Sequence, residues 1–192
     1  GRHCARIFYP ARGIFLFTKT KMGANMKTSN KGINFIKQFE GTVKSGDKHI
    51  IYDDETGCPV PSNAPLPRGA TIGYGHLIKS GEDFSRGITE SQAIEILRSD
   101  INMAERAVKD SIIVPLTQNQ FDALVSLAYN LGAKKFANST VVKYVNNPDF
   151  TDMTYPTLES AWIAWNKSGG KEMTGLTNRR KAELNLFLSK TI

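Results

Sequence analysis

The succession of two local patterns most constrains the fold of this sequence. Between residues 42 and 78, glycine and proline recur at short intervals, which interrupts helices and favours short strands joined by turns. From Thr89 onward, apolar residues recur instead with the three- and four-residue spacing of amphipathic helices. This succession predicts an α+β protein that is mainly helical, with a small N-terminal β-sheet lobe and a larger helical lobe.

A short helix is predicted before the β region. Thr28-Ser29-Asn30 supplies residue types that commonly cap a helix N-terminus, and apolar side chains within residues 33–39 follow on one helical face. Glu40 then falls at the end of this helix, with Gly41 placed to stop it. A carboxylate at that end meets the negative end of the helix dipole, which favours the protonated form of the carboxylate.

The β region is predicted to form a small sheet with a long loop at one end. Residues 49–52 are rich in strand formers, and residues 53–57 read as a turn. Residues 58–70 contain four prolines and are predicted to be an extended loop, after which residues 71–75 resume a strand. The glycines of Gly73-Tyr74-Gly75 do not indicate a nucleotide-binding loop, because no lysine follows them and no strand-to-helix unit surrounds them.

Capping boxes mark helix starts in the second half of the chain. They are Thr89-x-x-Gln92 and Thr117-x-x-Gln120, in which each side chain can bond the backbone N–H of the other residue. The first predicts a helix to about Lys109, long enough to join two lobes with a cleft between them. The second predicts a helix that ends at Gly132. Further helices are predicted over residues 136–145, after Thr157 and over residues 177–188.

Charge is distributed unevenly along the chain. The 192 residues carry a formal net charge of +7, but residues 1–30 hold six basic residues and no acidic one, so the rest is nearly neutral. A nucleic-acid-binding role for the whole protein is therefore not favoured. We expect residues 1–27 to be a basic N-terminal extension and residues 28–192 to be the folded domain.

Neither membrane insertion nor a metal centre is predicted. No apolar run approaches the roughly 20 residues that a membrane helix needs. Cys4 and Cys58 do not make a disulfide framework, and three scattered histidines offer no zinc site. No cofactor is expected, and a reducing compartment during synthesis is the simpler interpretation of the two cysteines.

Six short segments, taken in their order along the chain, narrow the range of protein families that the sequence fits. The first three are Phe39-Glu40-Gly41, Ile51-Tyr52-x-Asp54-x-x-Gly57 and Thr71-Ile72-Gly73-Tyr74-Gly75-His76. The others are Ala128-Tyr129-Asn130-Leu131-Gly132, Phe136-x-Asn138-Ser139-Thr140 and a segment that opens with Trp165-Asn166-Lys167 and includes Arg179-Arg180. Together they resemble the phage-type lysozymes of glycoside hydrolase family 24, over residues 30–189.

The resemblance implies an endolysin that hydrolyses the β-1,4 bond between N-acetylmuramic acid and N-acetylglucosamine in bacterial peptidoglycan. Glu40 matches the general acid of the family. Asp54 and Thr71 match the residues that position the attacking water, which implies inversion at the anomeric carbon. Arg179 matches an arginine that reaches the acid from the other lobe, where its charge would favour the ionised carboxylate.

Other matched residues carry less specific expectations. Three of them correspond to positions along the saccharide groove, although each could equally be ordinary packing or a helix cap: Leu77, Tyr129 and Ser139. We expect His76 to be a structural hydrogen-bonding residue, because both proton-transfer roles are already filled.

The spacing of the motifs departs from the family pattern. Thirteen residues separate the acid from the aspartate and sixteen separate the aspartate from the threonine, more than the family commonly has. The extra length lies in residues 42–49 and 58–70, where surface loops accept insertion at a low entropic cost. Asp47 and Asp53 therefore stay open as alternatives to Asp54, which the Tyr-x-Asp frame favours.

Two other functions stay open, namely a lytic transglycosylase, which uses one acid and no water, and a non-catalytic peptidoglycan-binding module. On the hydrolase interpretation the partner is peptidoglycan, with no nucleic acid and no stable membrane insertion, and the protein is a monomer. With no export signal recognised, we expect synthesis in the host cytoplasm and holin-dependent release. Residues 1–27 are then either an appended segment or a basic arm for anionic envelope polymers.

Overall fold

The structure, a computed structural model, describes residues 25–190. The helices are α1 (Asn30–Phe39), α2 (Glu90–Asp100), α3 (Asn102–Ser111), α4 (Gln118–Leu131), α5 (Ala133–Ala137), α6 (Thr140–Asn146), α7 (Leu158–Ile163) and α8 (Thr174–Leu188). The strands are β1 (Lys44–Ser45), β2 (Lys48–His49), β3 (Tyr52–Asp53), β4 (Ala70–Ile72), β5 (His76–Leu77), β6 (Lys167–Ser168) and β7 (Lys171–Glu172). This composition agrees with the predicted α+β class.

The core of the helical lobe is built around α4. The predicted capping box of Thr117 and Gln120 is present at its N-terminus, and Gly132, with φ of +83°, ends the helix. All but one of residues 119–128 are buried, so α4 has almost no solvent-facing side over this length. It packs against α1, α3, α5 and α8, and thereby joins the two helices that carry the site.

The N-terminal lobe contains a three-stranded antiparallel sheet in the order β3-β4-β5. Its register places Tyr52 opposite Thr71 and Thr71 opposite Leu77. Directly opposed residues of antiparallel strands project to the same face, so these three side chains share one side of the sheet. The predicted strand over residues 49–52 is instead divided between β2, in a separate hairpin with β1, and β3.

The proline-rich segment 58–70 is attached to the sheet at its start. The Asp53 N–H donates to the Cys58 carbonyl at 2.9 Å, and the Val60 N–H donates to the Ile51 carbonyl at 2.9 Å. The segment therefore begins along β3, on the edge that β4 does not use, and ends where β4 begins. Both ends of the predicted loop rest on the same short strand.

Three of the predicted helices differ from the structure: two are divided and one begins earlier. The helix predicted over residues 89–109 is divided into α2 and α3 at Ile101, which itself keeps right-handed helical angles (φ −71°, ψ −11°). The polar residues that flank Ile101 are weak helix formers. Residues 136–145 are likewise divided between α5 and α6, because Ser139 caps α6. Finally, α8 begins three residues earlier than predicted.

Two buried carboxylates anchor the chain just before α1. Glu105 accepts hydrogen bonds from the N–H and the hydroxyl of Thr28, at 2.8 and 2.9 Å. Asp122 accepts the N–H of Ser29 at 3.0 Å and also bonds the Ser29 hydroxyl. Of the predicted extension, residues 1–27, only residues 25–27 are described, so its boundary and its role stay predictions.

No described helix is both long enough and apolar enough to cross a membrane. Within residues 25–190, no three His, Cys, Asp or Glu side chains gather as a metal site would require. Cys58 is an exposed free thiol, and Cys4 lies outside the described residues.

Candidate active site

Glu40 is carried at the C-terminal end of α1, as predicted. The helix ends because Glu40 adopts an extended conformation (φ −88°, ψ 131°), although its N–H still donates to the Ile36 carbonyl at 3.2 Å. Gly41 does not take the left-handed conformation of a helix-terminating glycine, so it is Glu40 itself that changes the chain direction. The Glu40 side chain is 17% exposed, so it is partly accessible to solvent.

Arg179 reaches Glu40 from α8. Its Nη1 donates to Oε1 of Glu40 at 2.8 Å, although 139 positions of sequence separate the two residues. The Arg179 side chain is only 3% exposed, and its guanidinium lies 5.7 Å from the centre of the Phe39 ring. The structure therefore contains the predicted approach of Arg179 to the candidate acid.

Gly75 and Tyr129 lie beside the other carboxyl oxygen of Glu40. A Cβ atom at position 75 would lie 3.5 Å from Glu40 Oε2 and 3.7 Å from the Tyr129 hydroxyl. Gly75 also has φ of +88°, which favours glycine. Burial raises the pKa of Tyr129, and the charge of Glu40 raises it further. Tyr129, predicted to line the groove, thus lies next to the candidate acid.

Tyr52 connects the two segments that carry the candidate catalytic carboxylates. Its hydroxyl donates to the carbonyl of Gly41 at 3.3 Å, one residue beyond Glu40. Burial raises the pKa of Tyr52 to about 12, and the negative charges of Asp54 and Glu40 act in the same direction. Tyr52 therefore links the segment that follows Glu40 to the strand that carries Thr71.

Asp54 and Thr71 are joined through one backbone carbonyl. The Asp54 N–H donates to the carbonyl of Gly69 at 3.3 Å, and the Thr71 hydroxyl donates to the same oxygen at 2.9 Å. The side chain of Asp54 is exposed, whereas Thr71 is 3% exposed. Because the Thr71 hydrogen is used in this bond, the hydroxyl oxygen is left as an acceptor for a further group.

The two alternative aspartates are placed differently. Asp53 pairs with Ala70, so its side chain projects to the sheet face opposite to that of Thr71. The Asp53 carboxylate accepts the N–H of Glu55 at 2.9 Å, a bond typical of a turn. Asp47 is exposed in the connection between β1 and β2, which form a separate sheet.

The remaining predicted groove residues differ from each other. Leu77 lies opposite Thr71 in the sheet and is 56% exposed, so its side chain is available to a ligand. Ser139 is buried, and its hydroxyl accepts the N–H of Val142 at 3.3 Å at the start of α6. For Ser139, the helix-cap alternative is therefore the one present in the structure.

His76 has the hydrogen-bonding environment expected of a structural residue. Its Nδ1 lies 2.8 Å from Asp100 and its Nε2 lies 3.0 Å from Glu82. His76 thereby ties β5 to α2 and to the loop between them.

Glu183, Ser126 and Gly69 contact the candidate site residues, but sequence reasoning assigned them no role. Glu183 accepts the Nε hydrogen of Arg179 at 3.1 Å. The four-residue separation of this pair is the one available signal, since opposite charges at that spacing meet on a helix. Ser126 and Gly69 have no such signal, because their contacts depend on how distant segments pack.

The fold is shared with known proteins. A family model described as phage lysozyme matches residues 37–183. The endolysin of Bacillus phage PZA is 39% identical over 168 residues, which cover 86% of this chain and 57% of that protein. The endolysin of Salmonella phage P22 is 35% identical over 167 residues, which cover 85% and 99%. A solved structure, the muramidase domain of SpmX from Asticaccaulis excentricus, is 32% identical with a TM-score of 0.64, covering 85% of this chain and 99% of that one.

A small antiparallel sheet beside a larger helical lobe, with a glutamate at the end of the first helix, defines a lysozyme-like protein. More narrowly, the chain belongs to the phage lysozyme family, which confirms the resemblance seen in its sequence. It spans little more than half the length of the Bacillus phage relative.

Proposed function

We propose that this chain is a muramidase of the endolysin type, which hydrolyses the β-1,4 bond between N-acetylmuramic acid and N-acetylglucosamine in bacterial peptidoglycan. Two carboxylates carry the proposal: Glu40, which accepts a 2.8 Å hydrogen bond from Arg179, and Asp54, whose N–H shares the Gly69 carbonyl with the Thr71 hydroxyl. Tyr52 links their segments, because its hydroxyl bonds Gly41 and it lies opposite Thr71 in the sheet. Most glycoside hydrolases use such a pair of carboxylates. The names of the relatives, endolysin and muramidase domain, support the same reaction class.

Glu40 is the proposed general acid. In this role its carboxyl group transfers a proton to the glycosidic oxygen while the bond from that oxygen to the anomeric carbon breaks. The carboxylate that remains is stabilised by the 2.8 Å hydrogen bond from Arg179. The partial exposure of Glu40 leaves room for the sugar oxygen to approach.

Asp54 and Thr71 are proposed to hold the attacking water. The water donates one hydrogen to the Asp54 carboxylate, which takes that proton as the oxygen bonds to the anomeric carbon. Its second hydrogen is accepted by the Thr71 hydroxyl, whose own hydrogen is already donated to Gly69. Both water hydrogens are then engaged, and a lone pair of the water oxygen is directed at the sugar.

This arrangement predicts a single displacement with inversion at the anomeric carbon. NMR of the first-formed reducing sugar distinguishes the two anomers before they equilibrate. Inversion is expected, and a product of retained configuration would require a covalent intermediate that the proposal does not include.

The central experiment is mass spectrometry of digested peptidoglycan with three purified variants. Glu40→Gln is expected to lower turnover about 10²- to 10⁴-fold while peptidoglycan binding is kept. Asp54→Asn is expected to lower turnover similarly, whereas Asp53→Asn, the matched neighbour on the other sheet face, keeps it.

The products decide among the alternatives. Reducing muramic acid ends are expected for hydrolysis, and anhydro-sugar ends would establish a lytic transglycosylase instead. Unchanged lysis by Glu40→Gln would mean that the domain acts without this chemistry, as a non-catalytic peptidoglycan-binding module would. Peptidoglycan is the proposed partner, and synthesis in the host cytoplasm with holin-dependent release is the proposed route to it.

A further inference from the structure

Glu183 is fully buried in α8, and four side chains converge on its carboxylate. Oε1 accepts Nε of Arg179 at 3.1 Å and the hydroxyl of Ser126 at 2.7 Å. Oε2 accepts the indole N–H of Trp162 at 3.1 Å. Nε of Arg180 lies 3.3 Å from Oε2, an ionic contact without hydrogen-bond geometry. A buried carboxylate with donors on both oxygens is held in one orientation.

Glu183 in turn restricts the guanidinium of Arg179. Nε of Arg179 donates to Glu183, and Nη1 donates to Glu40. Nη2 lies 3.4 Å from the carbonyl oxygen and from the hydroxyl of Ser126. Because the guanidinium is planar and rigid, holding Nε also sets the direction in which Nη1 points. The position of Glu183 therefore determines where Arg179 meets the candidate acid.

Glu183 also contributes to the charge balance around Arg179 and Arg180. Arg180 is fully buried beside Arg179, and its Nη2 donates to Asn130 at 2.8 Å. Burial lowers the pKa of Arg180 to about 10, although the charge of Glu183 opposes that shift. A general acid must carry its proton before it acts. When Glu40 is protonated, Glu183 is the carboxylate that balances both guanidinium groups.

We propose that Glu183 is a positioning residue for glycosidic cleavage, because it aims Arg179 at Glu40 and shares the arginine charge that lies beside Glu40. This proposal rests on the proposed function and deepens it. Without the charge of Glu183, Glu40 is the one carboxylate left of the two that pair with Arg179, and the arginine favours its ionised form more strongly. The hydrogen bond that sets the direction of the guanidinium also becomes weaker, because its acceptor is then neutral.

Several titratable groups face this pair, and one of them contacts both carboxylates. Arg179 lies 2.8 Å from Glu40 and 3.1 Å from Glu183. The other groups that interact with Glu40 or Glu183 come from β3, α4 and α8, and they are Tyr52, Tyr129 and Arg180. The two tyrosines have raised pKa values and stay neutral near pH 7. A change at Glu183 therefore reaches Glu40 chiefly through Arg179.

Glu183→Gln tests the proposal, because glutamine keeps the size of the side chain and removes its charge. We expect kcat on soluble peptidoglycan fragments to fall about tenfold to a hundredfold with little change in KM. The alkaline limb of the kcat profile, which reports ionisation of the acid, is expected to move to lower pH. Wild-type kcat together with an unmoved alkaline limb would overturn the proposal.

Glu105→Gln is the matched control. Glu105, on α3, is a second buried glutamate, 4% exposed. It accepts hydrogen bonds from Thr28 and pairs with Lys27. We expect this variant to lose stability while its pH profile stays in place. An equal displacement of the alkaline limb by both variants would show a general effect of losing a buried charge, and would contradict a specific role for Glu183.

A second arm tests whether Glu183 acts through Arg179. In an Arg179→Met background, Glu183→Gln is expected to cause no further fall in kcat, because the group that it positions is gone. A further fall in kcat of the original size would contradict the proposal.

If Glu183→Gln does not fold, Ser126→Ala takes its place. This variant removes the 2.7 Å hydroxyl contact to Glu183 without changing a charge, and an unchanged kcat would overturn the proposal.

The outcomes also separate this inference from the proposed function. An active Glu40→Gln variant would remove the proposed function itself. An inactive Glu40→Gln variant together with a fully active Glu183→Gln variant would remove the positioning role alone.

Discussion

The backbone N–H of Asp54 and the hydroxyl of Thr71 donate to the same oxygen, the carbonyl of Gly69, at 3.3 and 2.9 Å. Gly69 is the next-to-last residue of the proline-rich segment 58–70. This segment therefore does more than cover the surface. Its final turn supplies the acceptor that sets the two proposed water-positioning groups relative to each other.

For catalysis, the hydroxyl group of Thr71 is expected to matter more than the branched shape of the side chain. Thr71→Val keeps the branched side chain at this buried position but removes the hydroxyl, so we expect kcat to fall about 10²-fold with a similar melting temperature. Thr71→Ser keeps the hydroxyl and is expected to retain most of the activity. Equal kcat values for the two variants in a turbidity assay would contradict a water-positioning role.

Gly69→Ala is expected to reduce activity through the backbone. Gly69 has φ of +96°, where a Cβ atom costs about 1–2 kcal/mol, so the carbonyl shared by Asp54 and Thr71 should move. Gly170→Ala is the matched control, since Gly170 has φ of +79° and open space around it in the β6–β7 hairpin. Both variants should lose similar stability, but only Gly69→Ala should lower kcat. Comparable activity in both would contradict this prediction.

Glu90 is expected to make the stability of the folded protein depend on pH in the acid range. Burial alone would raise the pKa of Glu90, but hydrogen bonds from four side chains outweigh it and hold this pKa well below 4.5. These donors are Lys37, Tyr74, His49 and Lys44. Because the pKa is lowered in the folded state, the stabilisation is complete above about pH 4.5 and is lost as the pH falls below that value.

Glu90→Gln provides the corresponding measurement. We expect the variant to melt below the wild type near pH 7, and the difference in melting temperature to narrow as the pH falls below about 4.5. A difference that is the same at pH 7 and at pH 3 would show that the charge of Glu90 does not contribute.

One substitution, glycine to alanine, is expected to have opposite effects in two helices. In α1, a Cβ atom on Gly32 would lie 2.6 Å from Cγ of Asp122 and 2.7 Å from Cγ2 of Thr28, so Gly32→Ala should destabilise by about 1–3 kcal/mol. In α8, Gly175 has no atom within 4 Å of its Cβ position, so Gly175→Ala should stabilise by about 0.5–1 kcal/mol. Urea unfolding measures both values, and shifts of the same sign would contradict the packing argument.

Local features were predicted well from the sequence. The capping boxes that begin at Thr89 and Thr117 are present, and Thr157 caps α7. Glu40 lies at the end of a helix, as expected. These features depend on hydrogen bonds between residues a few positions apart, and such bonds form in the same way wherever the segment lies. The break at Ile101 was not predicted, since apolar periodicity continues across it.

The sequence by itself determined which segments become helices, where Glu40, Asp54 and Thr71 lie along the chain, and the family to which the protein belongs. The contact of Arg179 with Glu40 was expected from the family resemblance, but only the tertiary structure decided that Glu183 lies behind Arg179 and that the Gly69 carbonyl joins Asp54 to Thr71. The physical reason is the separation along the sequence of the residues that interact. Caps and turns are set by neighbouring residues, whereas these contacts require α8 to pack on α4 and β3 to pair with β4 in one register.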